Sequence, residues 1–223
     1  MTLRANSLEA VVFDLDGVLI DSEHVWAAAR NQLTVERGGR SSDEAELDMM
    51  GMSSPEWSRY MHEVVGLPDP PEEINREVVR RLQAIYRERL PLMDGAVAAV
   101  KRLAARWPLG LASSSNRELI DLVLELAGLA RFFAATVSSE EVERGKPSAD
   151  VYLEAARRLR VAPGRCAAVE DSSPGVLSAA RAGMRVVAIP HPGYPLSAEA
   201  ETAVDVELSS LAELDVHAFA VLA

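Results

Sequence analysis

Apolar positions along the chain fall into two spacings. Five short runs are almost wholly apolar and end in turn formers or charge: residues 10–13, 109–112, 134–137, 166–169 and 185–189. Runs this short predict strands buried on both faces, as in a parallel sheet. A weaker run at 204–208 predicts a sixth. Between them apolar residues recur three and four apart. Leu119, Leu122, Val123 and Leu126 precede Gly128, and Val151, Ala155, Ala156 and Leu159 precede Pro163. A third such stretch runs from Val176 to Gly183. These spacings predict helices, with glycine as a stop signal. Strand and helix in alternation predict a doubly wound α/β fold around a parallel sheet.

The alternation is interrupted once. Residues 22–90 show no strand pattern and read as amphipathic helices over 25–36, 55–65 and 71–89, with Pro55 and Pro71 suited to first turns. A helical block between the first two strands predicts an inserted cap domain, residues 22–90. The core would then comprise residues 1–21 and 91–223, with hinges near 21–23 and 90–95.

Composition narrows the function. The 223 residues are 48% hydrophobic and 26% charged, as in an ordinary globular protein, and the net charge is −11. Such an acidic chain is poorly suited to a nucleic-acid backbone or an anionic membrane. A small anionic substrate is still admissible, because a bound cation and one lysine reverse the field locally. The single cysteine, Cys166, excludes an intrachain disulfide and lies in an apolar run, where it reads as core. No apolar stretch reaches the roughly 18 residues of a membrane span, and the first ten residues lack a signal-peptide pattern. A cytoplasmic protein is expected. Nothing demands an obligate interface, so a monomer is expected too.

Four stretches carry candidate chemistry. Asp14-Leu15-Asp16-Gly17 follows the first strand, where ligands of open α/β sheets bind. Two carboxylates so close repel unless a cation or a shared proton intervenes; a plain turn completed by Gly17 is the structural alternative. Ser113-Ser114-Ser115-Asn116 follows the second strand, where Ser113 can bond a phosphate oxygen while Ser115 or Asn116 caps the next helix. Lys146, between Gly145 and Pro147, can act as a point charge against phosphate, although a lone lysine is ordinarily just solvated. Glu170-Asp171-Ser172 follows another strand and serves equally as acids or as a helix cap. Together they suit a phosphoryl group held by lysine, hydroxyl and Mg²⁺.

With these residues in place, the chain resembles the haloacid dehalogenase superfamily, in the branch that holds β-phosphoglucomutase and related phosphatases. The resemblance rests on residues 14–23, Asp-Leu-Asp-Gly-Val-Leu-Ile-Asp-Ser-Glu, then Ser113, Lys146 and Glu170-Asp171, in motif order, with the helical cap after the first motif. It implies that Asp14 attacks phosphorus and becomes an aspartyl-phosphate, and that Asp16 acts as acid and base. It implies Mg²⁺ on the Asp14 carboxylate, the Asp16 carbonyl and Asp171, with Glu170 a ligand or neighbour. Ser113, with Ser114 beside it, and Lys146 would hold the phosphate. Gly51 in the cap loop would approach the substrate. The second aspartate, Asp16, separates the chain from the dehalogenases.

The chain departs from the mutase in two places. Trp26 stands where the mutase has a histidine twelve residues after the nucleophile, and Ser54 where a cap-loop arginine grips the second phosphate. Both departures favour hydrolysis of a small phosphorylated metabolite over intramolecular phosphoryl transfer. A signalling receiver domain uses similar groups, but its paired acids precede its acceptor and it lacks a large helical insertion. Met49, Met50, Met52 and Trp57 fit either an apolar substrate lining or the packing of the cap itself. His62, His191 and His217 have no partners at metal-ligand spacing.

Overall fold

The computed structural model describes residues 8–49 and 51–219. Six parallel strands form one sheet: β1 Ala10–Phe13, β2 Leu109–Ser113, β3 Phe133–Ser138, β4 Cys166–Glu170, β5 Arg185–Ala188 and β6 Val206–Glu207. Their order is β3-β2-β1-β4-β5-β6. Every strand matches an expected run to within two residues at each end.

The helices are α1 Glu23–Glu36, α2 Asp43–Met49, α3 Ser54–Glu63, α4 Pro71–Glu88, α5 Ala96–Ala104, α6 Arg117–Leu126, α7 Asp150–Leu159, α8 Ser173–Arg181 and α9 Ala198–Glu201. Five of them, α1 to α5, lie between β1 and β2, the first four within residues 22–90. The pattern had not indicated α2, α5 or α9. The short α2 is mostly acidic and carries no apolar stripe, whereas α5 buries Ala96, Ala99, Val100 and Leu103 at regular helical spacing.

Alternation along β1 divides the core. Val11 and Phe13 face the cluster with Ala99, Leu103 and Leu119 from α5 and α6. Ala10 and Val12 face the cluster with Tyr152, Ala155 and Val176 from α7 and α8. Both faces are covered, which explains why the strands read as continuous apolar runs.

This topology positions the site. β1 lies between β2 and β4, with Phe13 beside Leu111 on one side and Val169 on the other. The chain builds outward to β3, then crosses to β4. The crevice lies where that winding reverses, beyond the carboxyl ends of β1, β2 and β4. Asp14, Ser113 and Glu170 leave the sheet at that edge.

Candidate active site

The loop after β1 carries Asp14 and Asp16 into the crevice. Asp14 is buried, and its amide donates to the Val169 carbonyl at 2.9 Å. Gly17 closes the loop at φ +77°, in the left-handed region. A side chain there would also fall on the Asp171 carboxylate, so Gly17 serves both the turn and the space the acid needs.

Lys146 joins the acids. It lies in a turn ahead of α7, three residues before Ala149 gives way to the helix, rather than at the helix start itself. Its Nζ is 2.8 Å from Asp14 Oδ1 and donates to Glu170 Oε1 at 2.6 Å. Glu170 is fully buried and well occupied. Its Oε1 also accepts from the Tyr152 hydroxyl at 2.6 Å, while Oε2 accepts from the Asp171 amide at 3.2 Å and Ser172 Oγ at 3.3 Å. Gly175, on the first turn of α8, leaves the space this carboxyl fills. Ser172 is the N-cap of α8, its side chain accepting from the Gly175 amide at 3.3 Å.

One carboxylate oxygen from each of Asp14, Glu170 and Asp171 lies within 4.8 Å of the other two. Asp171 Oδ1 is buried and accepts no hydrogen bond. Asp14 Oδ1 is also buried, and although Lys146 stands at ion-pair distance it makes no aligned hydrogen bond. Burial, opposed by Lys146 and aided by Glu170 and Asp16, carries the Asp14 pKa up to about 8. Burial and then Glu170 and Asp14 raise Asp171 well above the usual carboxylate range. Burial works against the charge on Lys146, but Asp14 and Glu170 outweigh it and hold its pKa above an ordinary lysine's. Three crowded acids with one lysine and orphaned oxygens suit a hard divalent cation.

Asp16 points elsewhere. Its carboxylate lies outside the three-acid cluster and turns toward α1 and the loop after β2. Oδ1 accepts from Ser22 Oγ at 2.6 Å and from the Trp26 indole at 3.1 Å. Oδ2 accepts from Ser115 Oγ at 2.7 Å and Ser113 Oγ at 3.4 Å. Ser115 therefore reaches Asp16 instead of capping α6, and the N-cap residue Asn116 makes no side-chain capping bond either. Asn116 donates to Glu140 at 2.7 Å, and Glu140 in turn accepts from the Arg117 amide at 2.9 Å, which gives the helix end its partner.

A cavity of about 380 Å³ opens over these groups, lined by Asp14, Asp16, Lys146, Asp171 and residues of α1 to α3. Ser114 lines it and donates to the Gly51 carbonyl at 3.2 Å, tying the loop after β2 to the loop before α3. Gly51 has φ +75°, and a side chain there would press on Pro174. Met49, Met52 and Trp57 line the same cavity while Met49 and Trp57 are almost fully buried, so lining and packing are both served. Met50 lies outside the described residues. His24 is exposed, 3.6 Å from Asp21, and takes no part. Burial pushes the Cys166 thiol up to about 11, in keeping with a core residue.

The structure thus brings together Asp14, Asp16, Ser113, Ser114, Lys146, Glu170, Asp171 and Gly51. Sequence reasoning gave Trp26, Ser115, Tyr152 and Gly175 no place in the site, taking Ser115 only as a candidate helix cap. Trp26 left a signal, twelve residues after Asp14. Tyr152 and Gly175 left none, because their relation to Glu170 is purely spatial.

A parallel sheet whose carboxyl edge gathers acids, hydroxyls and a lysine beneath a helical insertion is the build of an α/β enzyme. Comparison with known proteins gives the family. The model of the haloacid dehalogenase-like hydrolases matches residues 8–183, and the chain belongs to that family. Hexitol phosphatase B of Escherichia coli (strain K12) is 35% identical over 211 residues, covering 92% of this chain and 93% of that one. The bifunctional riboflavin kinase/FMN phosphatase of Arabidopsis thaliana is 31% identical over 216 residues; the match takes in 94% of this chain but only 56% of that protein's length. Among solved structures, CbbY from Rhodobacter sphaeroides in complex with phosphate superposes with a TM-score of 0.81 at 28% identity, covering 95% of this chain and 98% of that one. The chain is an enzyme of this hydrolase family, similar to proteins named phosphatases.

Proposed function

We propose that the protein is a Mg²⁺-dependent phosphatase that hydrolyses a small sugar-phosphate-like monoester through an aspartyl-phosphate on Asp14. The observation that carries this reading is the pairing of two carboxylates with opposite surroundings. Asp14 sits among acids against Lys146, while Asp16, two residues on, is held apart by hydroxyl and indole donors.

Asp14 is the nucleophile: its buried carboxylate is oriented by the ion pair with Lys146, and it opens the covalent route available to carboxylates. Asp16 lines the same cavity and is the acid that protonates the leaving oxygen, then the base toward the attacking water. Lys146 is anchored by Glu170 and by the Tyr152 hydroxyl behind it, so its ammonium is fixed before substrate arrives. Ser114, which lines the cavity, supplies a hydroxyl toward the phosphate, while Ser113 is buried and instead holds Asp16 Oδ2 and the Ser115 amide. Mg²⁺, held by Asp14, Asp171 and the Asp16 carbonyl, would screen the repulsion between nucleophile and phosphate. Glu170 is better suited to holding Lys146 than to ligating the ion, because both its oxygens already have partners.

Residues 22–90 act as a cap over a core of residues 1–21 and 91–223, closing the cavity and excluding water. Contacts between Ser114 and Gly51, Asn116 and Asn75, and Gln83 and Glu118 support this division. Ser54 is buried at the start of α3 and does not line the cavity, which favours hydrolysis over a mutase. The test is phosphate release from a panel of phosphomonoesters with and without Mg²⁺. Release should require Mg²⁺ and disappear in Asp14→Asn with the circular dichroism spectrum unchanged. Activity surviving in that variant would end the mechanism.

A further inference from the structure

Two tyrosines among the described residues are almost fully buried, Tyr86 and Tyr152. Tyr152 donates its hydroxyl to Glu170 at 2.6 Å. The Tyr86 hydroxyl is buried and makes no aligned hydrogen bond among the described residues. An orphaned hydroxyl in a core is costly, and phenylalanine would fill the same space without it. Buried tyrosines ordinarily find a partner, so this hydroxyl calls for one.

The fold supplies a candidate. Tyr86 lies two residues before the end of α4, which packs against α1. The segments entering and leaving residues 22–90 run side by side: the Asp21 amide donates to the Pro91 carbonyl at 2.8 Å, and the Met93 amide to the Leu19 carbonyl at 3.0 Å. That pairing brings the end of α4 toward the start of α1, where Ser22 is the fully buried N-cap. Ser22 makes no side-chain capping bond; its hydroxyl donates to Asp16 Oδ1 at 2.6 Å and accepts from no group among the described residues. A hydroxyl has one proton and two lone pairs, so Ser22 Oγ is still open as an acceptor. Burial, and next the charge of Asp16, hold the Tyr86 phenol protonated, well above its ordinary range, while the Ser22 hydroxyl pulls the other way. Tyr86 does not line the cavity, so any effect on the reaction must pass through a neighbour.

We propose, resting on the phosphatase reading above with Asp16 as its acid, that Tyr86 is a positioning residue: its hydroxyl donates to Ser22 Oγ, which turns the Ser22 proton onto Asp16 Oδ1 and fixes that carboxyl beside the leaving oxygen. Hydroxyls aligned in a chain polarise one another, so the Ser22 bond to Asp16 strengthens when Tyr86 completes the chain. Proton delivery to a leaving oxygen depends on a carboxyl held to within a fraction of an ångström, which is what a supporting bond behind it provides.

The test uses two esters: the fastest alkyl phosphate of the panel above, whose leaving alkoxide must be protonated, and p-nitrophenyl phosphate, whose phenolate leaves without a proton. Their kcat/KM values are compared in the parent, Tyr86→Phe, Ser22→Ala and the double variant. Tyr86→Phe should lower the alkyl ester relative to the aryl ester by about fivefold, the factor one neutral hydrogen bond is worth. In the Ser22→Ala background the same substitution should move that ratio no further, because the group it acts through is gone. The melting temperature of Tyr86→Phe should fall by about 2–4 °C, as for the loss of a paired hydroxyl. A rise in melting temperature marks an orphaned hydroxyl and overturns the inference without reference to activity. Equal loss on both esters, or a ratio that shifts as far without Ser22 as with it, also overturns the inference while the phosphatase reading stands. A parent that cleaves no alkyl ester overturns both.

Discussion

Gly175→Ala isolates a feature of the site that is invisible in the sequence. Gly175 has ordinary helical surroundings in α8, so on propensity alone alanine should stabilise the protein by about 1 kcal/mol. The structure predicts the reverse. The added methyl would occupy the space of the Glu170 carboxyl, which is fully buried and bonded to Lys146, Tyr152, Ser172 and the Asp171 amide. Any displacement that relieves the clash breaks at least one of those bonds. Overpacking of this kind costs about 1–3 kcal/mol, and disrupting a buried ion pair about 3–5 kcal/mol when one partner is lost outright. Against the propensity gain, the net loss should be about 2–4 kcal/mol, and turnover should collapse because Lys146 loses its anchor. Urea unfolding of the metal-free protein should show a lower midpoint with an unchanged slope, and a phosphatase assay should report the rate. A variant as stable as the parent, with unchanged turnover, would refute the packing argument and the anchoring role of Glu170 together.

Two other outcomes are expected. Trp26→Phe removes the indole donor from Asp16 while keeping an aromatic ring against Trp57, and should lower kcat by roughly fivefold, the worth of one hydrogen bond of about 1 kcal/mol, more than it raises KM; an unchanged kcat would leave the indole a packing group only. In EDTA the protein should lose stability as pH rises. The Asp14 pKa moves from 3.8 to about 8 on folding and that of Asp171 rises too, so the folded state holds extra protons between those limits and the stability they give is lost toward pH 8. The melting temperature in EDTA should therefore be higher at pH 5.5 than at pH 8, and Mg²⁺ should restore more of it at pH 8; a flat or rising profile in EDTA would contradict the crowding of acids.

Much of this protein was legible before any coordinates. All six strands and six of the helices follow from apolar spacing, because a strand buried on both faces and a helix buried on one leave different periods in the chain. Asp14, Ser113 and Glu170 could be placed at strand ends for the same reason, and the order of the motifs was enough for the family resemblance. The α5 helix shows the limit of attention rather than of information, since Ala96, Ala99, Val100 and Leu103 carry the usual spacing. The α2 helix shows a limit of the information itself, for among the described side chains of its seven mostly acidic residues only Ala45 and Met49 are buried.

What the sequence alone determined was the set of candidate acids, hydroxyls and lysine and the strand ends that bear three of them. The strand order that brings β1 between β2 and β4 was decided by the tertiary structure. So was the turning of Asp16 toward Trp26 and Ser115, away from the three-acid cluster. The space left by Gly175 for Glu170 and the hydroxyl of Tyr152 on Glu170 belong to the same class. The physical reason is common to all of them. Local periodicity follows from forces between residues a few positions apart, whereas hydrogen bonds, cavities and pKa shifts at the site depend on distances between groups that only the folded chain brings within a few ångströms.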